Sequence, residues 1–269
     1  MRDDRYTHGH HDSVLRSHRW RTAENSAGYL LGHLRAGDRV LDVGCGPGTI
    51  TCDLADLVGP DGRVLGIDRA ESVVDEATAA ISARGAANAS AAVGDVYALD
   101  AADDSFDVVH AHQVLQHLTD PVAALVEMAR VCRPGGVVAC RDADYAAMTW
   151  APADPRLDRW LDRYRAAARA NGAEPDAGRH LLGWAHAAGF DDVTPSASVW
   201  CFATPEDRSW WGGLWADRVT SSALATQLTE QGLAPPDDLA DMAAAFRRWA
   251  DDGDGWFAVL HGEVLCRVP

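Results

Sequence analysis

Two stretches of this chain combine residue types and spacings that can do chemistry. The first is "RVLDVGCGPGTIT" (residues 39–51), in which Asp42 precedes three glycines at alternate positions, Gly44, Gly46 and Gly48, with Cys45 between the first two. Glycine lets a backbone turn tightly and lets a ligand approach with no Cβ in the way. A dinucleotide fingerprint needs a small residue three places after its second glycine, and here that place holds Thr49. A phosphate loop needs Gly-Lys-Ser/Thr, which is absent. The second stretch is "HAHQVLQHLTDP" (110–121), with imidazoles at His110, His112 and His117. Histidine moves protons near neutral pH, so His117 is a candidate general base. His110 and His112, with "HGHH" at 8–11, have metal-ligand residue types, but position at a strand end accounts for the pair and no metal is expected. The six cysteines form no C-x-x-C.

The elements that must position these groups alternate along the chain. A helix is expected over 22–34, with Thr22 as its N-cap. Strands are expected at 38–44, 62–68, 89–95, 105–112 and 136–142, separated by helices at 49–59, 70–85 and 120–136. Such alternation implies a parallel doubly wound sheet. Beyond residue 150, helical segments are read near 154–171 and 176–188, a strand at 191–203, a mostly helical stretch at 205–252 and a last strand at 256–268. The expected fold class is therefore α/β, a Rossmann-like, mostly parallel seven-stranded sheet with an antiparallel last strand. Residues 1–21 form an N-terminal arm, and 22–269 one domain with a helical lid insertion at about 205–252.

Composition narrows the task. Forty acids against 24 bases give a net charge of −16. Phosphate-backbone binding depends on clustered cations, so no nucleic-acid partner is expected. No apolar run reaches the roughly 18 residues that suggest a membrane span. The N-terminus lacks a signal-peptide core, which points to the cytoplasm. A homo-oligomer is left open.

Ligands of open parallel sheets bind beyond the strands' carboxyl ends. Asp68 ends the second strand, where an acid can accept from both ribose hydroxyls, and Gly94-Asp95-Val96 ends the third, where it can border an adenine. This ordered set resembles the class I S-adenosylmethionine-dependent methyltransferases, in particular the branch with the ubiquinone/menaquinone C-methyltransferases, over about residues 20–145. The resemblance implies S-adenosylmethionine as cofactor, with Gly44, Cys45 and Gly46 against its methionine part and Asp42 at its amino end. It puts Asp68 on the ribose, and Arg69, Gly94, Asp95 and Val96 around the adenine. His112 and Gln113 correspond to the segment whose backbone faces the methionine, and "QHLTDP" brings His117 close to the pocket. The arm is expected to fold over the cofactor mouth, with Tyr6, Arg21 or Thr22 near the methionine carboxylate or the substrate.

Methyl transfer from a sulfonium is an in-line displacement governed by alignment, and needs a base only for a protonated acceptor. Six of the ten tryptophans fall in 200–256, and Trp150 follows the fifth strand. Trp150 and Trp211 are accordingly expected to contact a small aromatic or apolar acceptor methylated at O, N or C. The two glycines of "SWWGGLW" (209–215) suggest a mobile cluster. The place after the fourth strand reads "HAHQVL", unlike the Asn/Asp-Pro-Pro-aromatic stretch of DNA amino-methyltransferases. The alternative is a protein that binds S-adenosylmethionine without transferring methyl, for other chemistry or as an interaction module.

Overall fold

The structure, a computed structural model, describes residues 12–269, with side chains from Arg16 onward. Tyr6 and the histidines of 8–11 lie outside the described residues. Two short helices, α1 (Asp12–Arg19) and α2 (Ala23–Leu31), precede the sheet. Then follow β1 (Arg39–Val43), α3 (Thr49–Val58), β2 (Arg63–Asp68), α4 (Glu71–Arg84), β3 (Ala89–Val93), β4 (Phe106–His112), α5 (Pro121–Val131) and β5 (Cys132–Ala143). These five strands pair in parallel in the order β3-β2-β1-β4-β5. Local chemistry sets the helix limits. The Asp120 side chain accepts from Ala123 N ahead of Pro121, and Gly85 closes α4 at φ 71°.

Helix α5 stops five residues short of the expected end at 136. Pro134 restricts the residue before it and cannot continue a helix, so "CRPGG" joins β5 instead. The register against β4 shifts between Phe106 and Val108 to take up the extra length.

The second half comprises β6 (Thr149–Ala151), α6 (Pro155–Ala170), α7 (Leu181–Ala187), β7 (Asp192–Phe202), α8 (Pro205–Ser221), α9 (Ala223–Glu230), α10 (Pro236–Asp251) and β8 (Trp256–Arg267). Strand β8 runs antiparallel to both β5 and β7, as expected of the last strand. The sheet has eight strands rather than seven. The cause is the length of β8: residues 261–267 pair with β5, and its first residues, left over, pair with the short β6.

Helices α8–α10 fill the stretch between β7 and β8. They share one aromatic core with α6, built around Trp160, Tyr164, Trp215, Phe246 and Phe257, each 1% exposed or less. Burying one side chain of this kind contributes about 1.5–3 kcal/mol, so the insertion is anchored firmly to the sheet's end. One of the two glycines of α8 serves this packing. A Cβ on Gly212 would lie 2.7 Å from the Phe246 carbonyl oxygen, so this glycine lets α10 come close. Mobility, the expectation from sequence, is not what places it.

Candidate active site

The glycine turn is anchored from beneath. Strand pairing sets Asp42 on β1 beside His110 on β4, and His110 Nδ1–H donates to Asp42 Oδ1 at 2.8 Å. Thr51 Oγ1, one turn into α3, donates to Asp42 Oδ2 at 2.6 Å. Asp42 is 2% exposed and each of its oxygens accepts one hydrogen bond, which fixes the turn from beneath. Cys45 N–H donates to Ile67 O and ties the turn to β2. Gly44 has φ 65°, and a Cβ there would meet Val114 Cγ2 at 2.4 Å. Only glycine satisfies both conditions. A Cβ on Gly46 would meet nothing nearer than His18 Nδ1 at 3.7 Å, so open space lies above the turn.

Asp68, at the end of β2, accepts from Gly46 N–H (3.2 Å) and Ala70 N–H (3.1 Å). Asp95 accepts from Tyr97 N–H at 3.0 Å. Both carboxylates are thereby aimed along the carboxyl edge of the sheet. Beyond β4 the chain makes a strained turn, with Gln113 at φ 54°, a conformation that costs a non-glycine residue about 1–3 kcal/mol. A polarised chain holds it there. Arg21 Nη2 donates to Gln113 Oε1, Gln113 Nε2 donates to His261 Nε2, and His261 Nδ1 donates to the Val259 carbonyl.

Three of the buried histidines here, His112, His117 and His261, are held below the usual imidazole range. Burial, then the nearby Arg21 and Arg141 guanidiniums, hold His112 well below the usual imidazole range. Burial and Arg21 push His117 down to about 3. Gln116 Oε1 accepts from Ala143 N–H, which turns its Nε2–H toward His117 Nε2 at 3.0 Å. The basic nitrogen of His117 is thus already accepting a hydrogen bond.

One cavity of about 590 Å³ follows the carboxyl edge of the sheet. From the β3 side its wall runs through Gly94-Asp95-Val96, Asp68 with Arg69, the turn from Asp42 to Gly46, and then His112, Gln113 and His117. From the β5 side it runs on through Tyr145, Met148, Val259, Trp200 and, from α8, Trp211, Trp215 and Arg218. Ser17, His18 and Arg21 of the N-terminal segment close one side. Thr49 Oγ1 donates to His18 O, and Arg218 donates to Ser17 Oγ, so α1 bridges the glycine-turn helix and α8.

Of the residues singled out in the sequence, the cavity gathers Asp42, Gly44, Cys45, Gly46, Asp68, Arg69, Gly94, Asp95, Val96, His112, Gln113, His117, Arg21 and Trp211. Two do not line it. Trp150 sits on β6, whose pairing with β8 stacks its ring on Phe257 at 5.4 Å and packs it against Trp160. Thr22 is an N-cap, its hydroxyl accepting from Asn25 N–H while Asn25 reciprocates to the Thr22 N–H. Sequence reasoning passed over Ser17, His18, Tyr145, Met148 and Arg218. Tyr145 and Met148 flank a single 3-10 turn after β5, and Arg218 is one basic residue in a helix, so neither carries a local signal. Among the described residues no group of three or more His, Cys, Asp or Glu side chains is placed to hold a metal ion.

An open parallel sheet with a glycine turn, an acid at the end of β2 and a second at the end of β3 defines a nucleoside-binding α/β enzyme. The family described as "Methyltransferase domain" matches residues 34–189, well over half of the chain, and the chain belongs to that family. An uncharacterised methyltransferase of Schizosaccharomyces pombe is 37% identical over 268 residues, covering 97% of this chain and 95% of that one. A demethylmenaquinone methyltransferase of Geobacillus stearothermophilus is 36% identical over 108 residues, 40% of this chain and 46% of that one. Among solved structures, the YcgJ protein of Bacillus subtilis matches with a TM-score of 0.59 at 21% identity, over 91% of this chain and 99% of that one. The protein is an S-adenosylmethionine-dependent methyltransferase. Its residues fit that cofactor: the turn leaves free the space that a Cβ would fill, and Asp68 stands beside it.

Proposed function

We propose that this methyltransferase acts on a small, largely apolar, aromatic acceptor at an oxygen, nitrogen or carbon atom. The observation that carries this reading is the continuity of the cavity from the glycine turn and Asp68 to the rings of Trp200, Trp211 and Trp215. Flat apolar walls suit a planar ring, and such a pocket orients its ligand through a few polar groups. Gly44, Cys45 and Gly46 would hold the methionine part of the cofactor, Asp68 the ribose, and Arg69 with Gly94-Asp95-Val96 the adenine. Bound there, S-adenosylmethionine supplies a methyl carbon made electrophilic by its sulfonium. The residues then have to hold the acceptor atom in line with that carbon and keep water out. Trp211 and Trp215 do the latter from α8, which α1 ties down through Arg218 and Ser17. His117 serves as a neutral wall that orders the β4 loop, because an imidazole pushed down to about 3 is too weak a base to draw a proton from an acceptor and its Nε2 already accepts from Gln116. Six free cysteines, five of them buried, suit the reducing cytoplasm.

The test is methyl transfer from labelled S-adenosylmethionine to a panel of phenols, aryl carboxylates, quinols and aryl amines. Trp211→Ala is expected to raise the KM of an accepted substrate about tenfold while leaving cofactor affinity within about twofold. Tight cofactor binding with no transfer to any ring acceptor would overturn the proposal.

A further inference from the structure

The charges along the cavity are sorted by position. Its carboxylates, Asp42, Asp68 and Asp95, belong to the ends of β1, β2 and β3, the half proposed for the cofactor, with Arg69 as the cation among them. On the β5–α8 half, among tryptophans, Tyr145 and Met148, the charged lining groups are the guanidiniums of Arg218 and Arg21. This is contrary to the whole molecule, whose net charge is −16. Arg218 is 4% exposed, lies 4.6 Å from the centre of the Trp215 ring and donates to Ser17 Oγ at 3.0 Å. Arg21 lies 5.9 Å from the centre of the Trp200 ring. Each cation is therefore laid against an aromatic wall of the acceptor half, with its planar fork held by that wall.

The field reaches the neighbouring groups. Burial holds His112, His117 and His261 uncharged and raises Tyr145 and Asp142; Arg21 adds to the first effect and opposes the second, and Arg218 opposes it at Tyr145. A cationic amine placed among these rings would meet the same repulsion as the imidazoles. An oxyanion would meet attraction in a region shielded from water, where a charge-assisted hydrogen bond is strongest.

We propose that the acceptor is a flat aromatic acid that enters as an anion, its ionised oxygen group held by Arg218 and Arg21 against the tryptophan walls. This rests on the reading that the aromatic half of the cavity receives the acceptor. The assigned class is one of aryl carboxylates and phenolates, and it excludes aromatic rings that carry a protonated alkylamine. Neutral His112 and His117 are compatible with it, since a group that arrives ionised asks nothing of a base.

The experiment uses the full chain saturated with S-adenosylhomocysteine, whose binding is measured first. Three probes of one shape are then titrated at pH 7.5: 2-naphthoate, 2-naphthamide and the 2-naphthylmethylammonium ion. Parallel titration of 2-naphthol from pH 7.5 to 9.5 separates phenolate from carboxylate recognition. The expected result is naphthoate at least about tenfold tighter than the amide, the yield of one charge-assisted hydrogen bond, with the ammonium weakest. Arg218→Gln is expected to remove that preference while leaving amide and S-adenosylhomocysteine affinities within about twofold, and Arg218→Lys to keep part of it. Arg21→Gln, at a half-buried position, reads the same preference if Arg218→Gln fails to fold. Amide or ammonium binding as tightly as naphthoate in the unsubstituted protein would overturn the proposal, as would a preference that survives both glutamine variants. Failure to bind S-adenosylhomocysteine would instead strike the cofactor site itself. Tight S-adenosylhomocysteine binding with no charge preference would sink this inference alone.

Discussion

At the scale of single residues, the site depends on groups whose charge state is imposed by their surroundings. Asp68 accepts from two backbone N–H donors, and its proposed task is to hold the cofactor's ribose. Asp68→Ala is expected to weaken S-adenosylmethionine binding about 10- to 100-fold by calorimetry, the loss of one or two charge-assisted hydrogen bonds. Unchanged affinity would remove Asp68 from the site. Acid sensitivity follows from the imidazoles. His112, His117 and His261 have folded pKa values below their unfolded value, so the unfolded chain takes up protons first as the pH falls through about 6.5. Each therefore lowers stability on acidification. Asp142 acts the other way: burial raises it to about 7, so its contribution is present at low pH and lost as the pH rises through 7. Three imidazoles outweigh one carboxyl, and Tm is expected to fall between pH 7 and pH 5. A flat or rising profile would show that these rings are not buried neutral. The residue types at this site were legible in the chain, but not these charge states. Burial and neighbours drawn from β4, β5 and β8 create them, and local sequence holds no record of that company.

At the scale of elements, neighbouring glycines show how much a helix face decides. Gly212 and Gly213 are indistinguishable in the string "WWGGLW", yet the first faces α10 and nothing lies within 4 Å of a Cβ on the second. Gly212→Ala is expected to lower stability by about 1–3 kcal/mol through overpacking. Gly213→Ala is expected to raise it by about 0.5–1 kcal/mol, because alanine loses less backbone entropy in a helix. Thermal unfolding of the two variants checks both signs, and equal effects would refute the packing account. The strand-helix alternation, by contrast, was legible almost throughout, because buried strands and capped helices carry short-range periodic signals. The misses are instructive. Helix α5 was read through Pro134, and β6 was unread because three residues carry no period and exist as a strand only through β8.

At the scale of the whole molecule, the cavity draws on strands β1, β2, β4, β5, β7 and β8, on α8 and on the N-terminal segment, so its ligand ties the two halves of the chain together. A ligand that binds only the folded state stabilises it by mass action, by about 2.7 kcal/mol at a hundredfold excess over Kd. S-adenosylhomocysteine is accordingly expected to raise Tm by several degrees, at about 2–4 °C per kcal/mol for a chain of this size, whereas NADH should not. An equal shift with NADH would contradict the reading of Thr49 as the residue that breaks the dinucleotide fingerprint.

Taken by itself, the amino-acid sequence determined the cofactor half. The glycine turn, Asp68 and Gly94-Asp95-Val96 lie at the ends of successive strands of one parallel sheet, so their order along the chain is converted directly into order along one edge. Only the tertiary structure decided the other half. Trp200, Arg218, Tyr145 and Arg21 come from places far apart in the chain, and the first three are brought to one wall because β8 inserts between β5 and β7 and α8 lies over the sheet's end. Trp150 and Trp211 both pack into the aromatic core, yet only Trp211 also reaches the cavity wall. Burial in the core and exposure to a ligand demand the same apolar side chain, so residue type cannot separate them; the direction in which the backbone turns each ring does.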